Sequence, residues 1–480
     1  MIGMGERIDI LVPLPVDKVG PISSSLVRGG ARQTGVSNIV DFEKETMSKG
    51  RQQDRIFYGW WVVAAGFITL SIAVGMPYFG MTFFYDYFER PVAEGGLGWA
   101  RTVITLGLPI GTLSTLWVGP LLMHRLAPRR MILLGTAISL VTLIGFGRME
   151  DGAAGHYQYY GLYVLYMIAN NLSGGVSHQI ILSRWFVRQR GIAISIGYLG
   201  VSAGGALVVP LVAEPLTRLY GFRIALTVMG GLVMLTWPLV LLVMRDSPEE
   251  MGLRPDGDGP QMGGTSHHHS AAGEERGYRQ LLQERVLWVL LGGGVCLAGS
   301  VGAVNLLLKL ILKDRGTVSQ TVLDQTFSRT LLIILLISAV ARVLVGRFAD
   351  RIPKRHLLTL TWLPLVAGIP LLVAVPPGKV PILFCLLYGI ALGADYLLIV
   401  VVAADLYNLV TLPRVLALLI PVMTVGQTWT PFIISLIREQ TGDYTIPLGL
   451  ILVLAIVGRV LLALLPFPAG WGEDAVVDKG

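Results

Sequence analysis

"VARVLVGRFADRIPKR", Val340 to Arg355, closes an apolar run that begins at Leu331 and passes straight into a basic turn. Arg342 lies inside the apolar part, while Gly346, Asp350, Arg351, Lys354 and Arg355 stand at its end. A helix that crosses lipid carries its Lys and Arg on the cytoplasmic side, which also suits the negative pole of a helix C-terminus. Asp350 to Arg355 therefore reads as a cytoplasmic loop. Arg342 then sits about 12 Å deeper, at a rise of about 1.5 Å per residue. In a hydrocarbon core about 30 Å thick, that depth is near the midplane. A guanidinium there is costly unless it faces a watery cavity or an ionic partner, so the position is read as a functional site.

The rest of the chain agrees with a membrane setting. Its 480 residues are 53% hydrophobic and only 14% charged, a balance that a polytopic membrane protein needs and a soluble domain rarely tolerates. The net charge of +7 lies mostly in short turns between apolar runs and tails. Topology explains it, and no nucleic-acid partner is expected. Cys296 and Cys385 both fall inside apolar runs and read as small core residues rather than metal ligands or a disulfide.

Twelve runs of about 20 apolar residues are expected to be helices, because lipid leaves the backbone no other way to satisfy its polar groups. They lie near 58–84, 102–122, 130–148, 157–183, 191–212, 222–244, 286–311, 327–347, 356–375, 379–403, 415–437 and 445–466. The expected organisation is an all-α membrane protein with a disordered tail over 1–57, a six-helix bundle over 58–244, a flexible linker over 245–285, a second six-helix bundle over 286–466 and a tail over 467–480. Met47 opens "MSKGRQQDRIFYGWW", itself a natural start, so residues 1–46 are a candidate gene-start artefact. Arg125, Arg129 and Arg130 follow the second span, Arg184, Arg188 and Arg190 the fourth, and Arg347, Arg351, Lys354 and Arg355 the eighth. These loops share a side with the tail that carries Lys49, Arg51 and Arg55. The opposite loops are sparser, Lys313 and Arg315 excepted, so both termini are expected in the cytoplasm and the chain in the inner cell membrane. The run His267 to His269 lies in the linker, where no metal is expected.

The spacing Gly-x-x-x-Asp-Arg-x-x-Lys-Arg from Gly346 to Arg355 resembles the cytoplasmic loop signature of the major facilitator superfamily, with Pro353 where the family has Gly. A second copy, "GPLLMHRLAPRR", spans Gly119 to Arg130 after the second apolar run. It has His124 in place of the family's Asp, then Arg125, one inserted residue and Ala127 in place of Gly. Two copies half a chain apart fit a duplicated transporter. Further stretches resemble the monocarboxylate transporter and oxalate/formate antiporter branch: "FYGWWVVAAGF", "FFYDYFERPVAEGGLGWARTVIT", "SRWFVRQRGIAISIGYLGVSAGG", "RDSPEEMGLRPDG" and "PFIISLIREQTGDY". On that resemblance Arg342 stands where the branch keeps an eighth-span Arg that pairs the substrate carboxylate. Ser338 replaces the proton-binding Asp of monocarboxylate transporters and Tyr78 their first-span Lys. The eleventh span lacks the Lys of oxalate exchangers, and Gln427 is its most polar long side chain.

Read from their own chemistry, the candidates divide by task. Arg342 offers a planar fork that fits a carboxylate and keeps its charge; a structural ion pair between helices is the alternative. Asp395, in "YGIALGADYLLIV", is about 15 Å inside its span, at the depth of Arg342. It is read as the carrier of a coupled proton that competes with the substrate for Arg342, with a static salt bridge as the alternative. Lys309 follows Asn305 by one turn and either draws anions inward or snorkels to the interface. Asn170 and Asn171, about 100° apart on the fourth helix, cannot both face a cavity. His178 is a titratable candidate or an interhelical hydrogen-bonding group. Tyr78 is read as a cavity donor or an aromatic wall. Apart from these, the first six spans contain no internal acid, Lys or Arg, so all candidate charge is expected in the second half.

The reading that follows is a secondary carrier. A small organic anion, by preference a monocarboxylate, binds between two bundles that rock about it, with a proton by preference. Exchange of one organic anion for another and a non-transporting receptor on the same fold are the alternatives. The partners expected are the anion, the lipid bilayer and the proton, with no cofactor, no metal and a monomeric chain. No nucleophile, base and orienter gather anywhere, so an enzyme is not expected.

Overall fold

The computed structural model describes residues 57–123, 126–257, 277–316, 318–348, 354–373, 376, 379–407 and 411–465. Side chains at 115–123, 346, 348, 354–355, 395–397, 400–401, 404–405 and 413 are outside the description. The expected tails and His267 to His269 therefore lie outside the described residues. Among the described residues there are helices and no strands. Twelve helical passages follow one another: α1 (Tyr58–Glu89), α2 (Arg101–Met123), α3 (Pro128–Gly147), α4 (Gly152–Ser173, resumed after Gly174 as Gly175–Trp185), α5 (Arg190–Tyr220), α6 (Phe222–Leu242), α7 (Arg285–Asp314), α8 (Gln320–Phe348), α9 (Lys354–Val373), α10 (Ile382–Leu406), α11 (Leu412–Thr441) and α12 (Thr445–Ala463). Among the described residues, nine helices are long and apolar enough to cross a membrane.

The packing repeats itself after six helices. In the first half α1 lies on α5, α2 on α4, α3 on α4, and α3 on α6; in the second half α7 lies on α11, α8 on α10, α9 on α10, and α9 on α12. The halves meet where α2 packs on α11 and α5 on α8, a pair that also exchanges under the same shift of six, and where the second half of α1 packs on α7. This is the pattern expected of two related bundles facing each other across a central site.

Several large buried polar side chains find partners within their own bundle, as low-dielectric surroundings favour. Tyr159 donates to the carbonyl of Ile104 at 2.7 Å, Tyr388 to that of Val301 at 2.7 Å, and the Trp362 indole to that of Ala455 at 2.8 Å. Tyr85 and Tyr163 share a hydrogen bond of 2.8 Å inside an aromatic layer that includes Phe146, Tyr159 and Tyr166.

Two π turns break α1 and α5. They cover Ser71–Gly75 and Val209–Ala213. Each lies just before a proline, Pro77 or Pro215. A proline ring clashes with the carbonyl four residues back and lacks the N–H that would bond it. Those carbonyls belong to Ala73 and Leu211, inside the two π turns, where a wider turn removes the clash. The first break sits beside α5. A Cβ added at Gly204 would lie 2.0 Å from the carbonyl oxygen of Ser71, and one at Gly75 would lie 2.2 Å from that of Val201. Glycine thus lets α1 and α5 pack backbone to backbone at the level of Tyr78.

Several helices run past their apolar stretches. α1 continues to Glu89 instead of ending at 84, α7 to Asp314 instead of 311, and α8 starts at Gln320 instead of 327. The added turns carry Asp86, Glu89, Lys313, Asp314 and Asp324, and the reason they remain helical is given with the site. The expected linker also begins later. Pro248–Met251 and Pro255–Gly257 form 3-10 turns that fold back on the basic end. There the Asp256 carboxylate accepts the backbone N–H groups of Val187 at 2.9 Å and Arg188 at 2.8 Å.

Candidate functional site: a cavity between the bundles and its sealed end

One cavity of about 150 Å³ lies between the two bundles. Its polar lining is Tyr78 from α1, Asn305 from α7, Arg342 from α8, and Thr424 and Gln427 from α11. Phe79, Val301, Leu392 and Met423 supply apolar wall. Arg342 and Tyr78 are half-buried and Asn305 is buried. Gln427 donates its amide to the Tyr78 hydroxyl at 2.8 Å, which ties the two bundles together across the space. A guanidinium, two amides and two hydroxyls around so small an apolar-walled space can bind a compact anion. The fork takes a carboxylate, and the other groups take whatever polar atom it carries.

Four of the residues singled out from the sequence, Tyr78, Asn305, Arg342 and Gln427, are therefore brought together. Others are not. Asn170 and Asn171 turn their amides back on their own helix, to the carbonyls of Tyr166 at 3.2 Å and Met167 at 2.9 Å. His178 is fully buried between α4 and α1, with Nε2 2.7 Å from the Thr69 hydroxyl and Nδ1 3.0 Å from the Gly174 carbonyl. Ser338 is fully buried. Asp395 lies on α10, but its side chain is outside the described residues, as is that of Arg355, and only the backbone of Gly119 is described. Of the remaining loop motif, His124, Arg125, Asp350 and Arg351 lie outside the described residues, and only the backbone of Gly346 falls within them. Arg130 is exposed at the start of α3.

Lys309 overturns two expectations. It does not snorkel: its side chain is 1% exposed. Nor is charge confined to the second half. Nζ lies 2.6 Å from Asp86 Oδ1 of α1 and 2.7 Å from Asp324 Oδ1 of α8, donates to the Phe83 carbonyl at 2.7 Å, and stands 3.6 Å from the centre of the Phe83 ring. Around it, Gln320 donates to Asp86 at 2.7 Å and to Asp324 at 2.9 Å, Tyr87 donates to Asp324 at 2.5 Å, and Arg90 approaches Asp86 at 3.5 Å. A cation held by two carboxylates and an aromatic face has no reason to seek water.

A second cluster adjoins the first. Arg101 of α2 is 2% exposed and makes two-pronged contacts with Glu89 of α1, at 2.7 and 3.0 Å, and with Asp314 of α7, at 3.0 and 3.1 Å. Lys313 pairs with Glu89 at 2.9 Å, Arg438 of α11 with Asp314 at 2.6 Å, and Glu439 accepts the N–H and hydroxyl of Thr102 at 2.9 and 3.0 Å. Among the described residues five cations (Arg90, Arg101, Lys309, Lys313, Arg438) thus meet four carboxylates (Asp86, Glu89, Asp314, Asp324), and three of these ion pairs, Arg101–Asp314, Lys309–Asp86 and Lys313–Glu89, cross from one bundle to the other. These pairs explain why α1, α7 and α8 extend beyond their apolar runs. The charged turns are neutralised by each other rather than by water. The seal lies at the end opposite the basic loops, so the cavity is closed off on that side.

The sequence profile described as Major Facilitator Superfamily matches residues 56–407. Among solved structures, the chain is similar to a bacterial homolog of the human lysosomal transporter Spinster in an inward-facing, unoccupied conformation, with 14% identity and a TM-score of 0.54 over 85% of this chain and 95% of that one. It is also similar to the peptide transporter POT in complex with alafosfalin, with 15% identity and a TM-score of 0.60 over 84% of this chain and 94% of that one. At such identities the likeness is one of fold. Among curated proteins no relative matches.

Proposed function

The chain belongs to the major facilitator superfamily of membrane transporters, and on that premise we propose that it carries a small monocarboxylate, bound by Arg342 in the cavity between the bundles. The observation that supports this reading is the convergence of Arg342, Asn305 and Gln427 from one bundle and Tyr78 from the other on a space of about 150 Å³. A ligand held by both bundles is bound most tightly when they close around it, which is what rocking about a fixed site requires. The basic loops lie in the cytoplasm in this proposal, by the excess of Lys and Arg there. The ion-pair seal then faces outward, and the state described is closed to the outside. Asp395 on α10 carries the coupled proton, and the working unit is the monomer in the inner membrane.

Purified protein screened against small carboxylates should gain thermal stability with its substrate, because a ligand of the folded state raises apparent stability. Uptake of that acid into proteoliposomes is then measured for wild type and Arg342→Lys. Lys keeps the charge and loses the fork. The expected loss of flux is at least about tenfold, the scale of a charge-assisted hydrogen bond worth ~1.5–3 kcal/mol. Unchanged flux in a variant that inserts normally would remove Arg342 from the site. An imposed pH gradient separates the coupling modes: symport is driven by it, whereas exchange ignores it and needs acid inside.

A further inference from the structure

Two cations at the sealed end are not accounted for by topology. Lys313 and Arg315 are the exceptions in the sparsely basic loops opposite the basic ones, and they close α7, with Arg315 as its C-cap. The ion-pair seal uses them unequally. When the bundles part, each of its carboxylates keeps a cation in its own bundle: Asp86 keeps Arg90, Glu89 keeps Arg101, Asp314 keeps Arg438 and Asp324 keeps Lys309. Lys313 keeps none, because its partner among the described residues, Glu89 at 2.9 Å, lies in the other bundle. Arg315 stands apart even in the closed seal. Its Nε and Nη2 are buried and have no hydrogen-bond partner among the described residues. Those two atoms form the edge by which Arg101 grips Glu89, at 3.0 Å from Nε and 2.7 Å from Nη2. Arg315 thus carries, at the end of α7, an edge shaped for a carboxylate that no described residue takes up.

We propose that Arg315 is a second carboxylate-binding site, at the mouth of the carrier, filled when the sealed end opens. The inference rests on the carboxylate-carrier reading for its purpose, which is to hold the acid on its way to or from Arg342. Asp314, the neighbouring residue, is gripped by Arg101 of the first bundle, so parting the bundles takes apart the junction that covers the Arg315 edge. Arg315 then donates two N–H groups to one carboxylate. Lys313 is two residues away and does not share its face. Released from Glu89, it supplies a second positive charge that raises the local concentration of anions. Because the edge is covered in the closed state, the acid binds there only when the seal is open, and so shifts the population toward the open seal. Closure in turn requires the acid to leave Arg315, inward to the cavity or back to solution.

The test uses the full chain in nanodiscs at fixed pH. Spin labels are placed at Glu94 and Gln440, exposed positions at the sealed end of the two bundles, in a Cys296→Ala, Cys385→Ala background. The probe is a dextran that bears benzoate groups, too large to be carried through a cavity of about 150 Å³; the control dextran bears benzamide. With the benzoate dextran a longer-distance population should grow at least about twofold relative to the shorter one, the shift reached at its Kd for the open state. The benzamide dextran should have no effect. Arg315→Gln should abolish the growth, and Lys313→Gln should move it to higher probe concentration. Arg342→Gln should leave it intact, because the mouth does not use the cavity fork. A wild-type distance that ignores the benzoate dextran overturns the proposal whether or not the variants fold. So does growth that is equal with both dextrans, or undiminished in folded Arg315→Gln or Lys313→Gln. Growth lost in folded Arg342→Gln overturns it too, by placing the acid in the cavity, and leaves the transport reading standing. A chain that shows the response at the mouth but takes up no carboxylate into proteoliposomes keeps the site and loses the transport reading.

Discussion

Gln427 on α11 donates its side-chain amide to the phenol of Tyr78 on α1, 2.8 Å away, and both side chains line the cavity that Arg342 enters. The bond belongs to neither bundle alone. A substrate that enters between the bundles must accept from the amide, donate to the phenol oxygen, or displace the pair. Tyr78→Phe removes the hydroxyl and leaves the ring. The expected result is a KM raised about threefold to tenfold, for a hydrogen bond worth ~0.5–1.5 kcal/mol. Gln427→Ala should do the same. Because each variant breaks the one shared bond, the double variant should cost less than the two single effects combined. Initial rates of uptake into proteoliposomes measure all three.

Arg101 is the joint of the ion-pair seal, since it alone among the described residues contacts both Glu89 of α1 and Asp314 of α7 with a two-pronged fork. Arg101→Ala leaves those two carboxylates with Lys313 and Arg438 only. Removing one partner of a buried ion pair costs ~3–5 kcal/mol where the rest is dry. Glu89 and Asp314 keep some access to solvent, 18% and 12% of their side chains, so the expected cost is at the low end of that range. It should appear as a lower melting temperature in detergent. Arg101→Lys should fall between the two, because it restores the charge without the fork. A melting temperature unchanged in Arg101→Ala would mean that the seal contributes nothing to the closed state.

How much of this was legible in the chain follows from what each residue type can say on its own. An apolar run of 20 residues specifies a helix without knowledge of its neighbours, because lipid admits little else. Arg342 declares itself because it stands alone in such a run. Asp86, Arg101, Asp314 and Asp324 declare nothing. In "FFYDYFER", "GWARTVIT", "LKDRG" and "VLDQTF" they sit at the edges of apolar stretches, where charged residues normally meet water. Their burial arises only because the ends of α1, α2, α7, α8 and α11 converge, and no local pattern encodes that convergence. Lys309 carried half of the signal. A lysine at the end of an apolar run invites snorkelling, and only its partners decide otherwise. Asn170 and Asn171 misled for the opposite reason: amides in an apolar run look functional, yet each bonds its own helix one turn back.

Asp256 supplies a prediction at the other end of the molecule. Its carboxylate accepts two consecutive N–H groups, those of Val187 and Arg188, just ahead of α5. Its own backbone has φ of 57°, a region that suits Gly and Asn better than Ala. Asp256→Ala loses the oxygen that accepts both N–H groups and adds backbone strain, and should cost more than the ~0.5–2 kcal/mol of a lost helix cap. Asp256→Asn keeps one acceptor and tolerates the left-handed backbone, so it should cost less. Thermal melts of the two variants check the order, and equal losses would show that the carboxylate does not hold the turn.

The glycines of α5 permit a last test, one that separates packing from mere helix propensity. At Gly200 an added Cβ would stand 2.1 Å from the Phe67 carbonyl oxygen, and at Gly204 it would stand 2.0 Å from that of Ser71. Both obstacles are backbone of α1, which cannot rotate aside as a side chain does. Gly161 on α4 and Gly191 at the start of α5 have nothing within 4 Å of the added atom. Alanine favours a helix over glycine by ~1 kcal/mol wherever space allows. Gly161→Ala and Gly191→Ala should therefore leave the melting temperature unchanged or raise it. Gly200→Ala and Gly204→Ala force α1 and α5 apart and should lower it, at the ~1–3 kcal/mol typical of overpacking. Separating the two helices also shifts the π turn at Ser71–Gly75 and with it Tyr78. The two α5 variants should thus lose transport in excess of their loss of folded protein, which uptake normalised to the amount of folded carrier will measure.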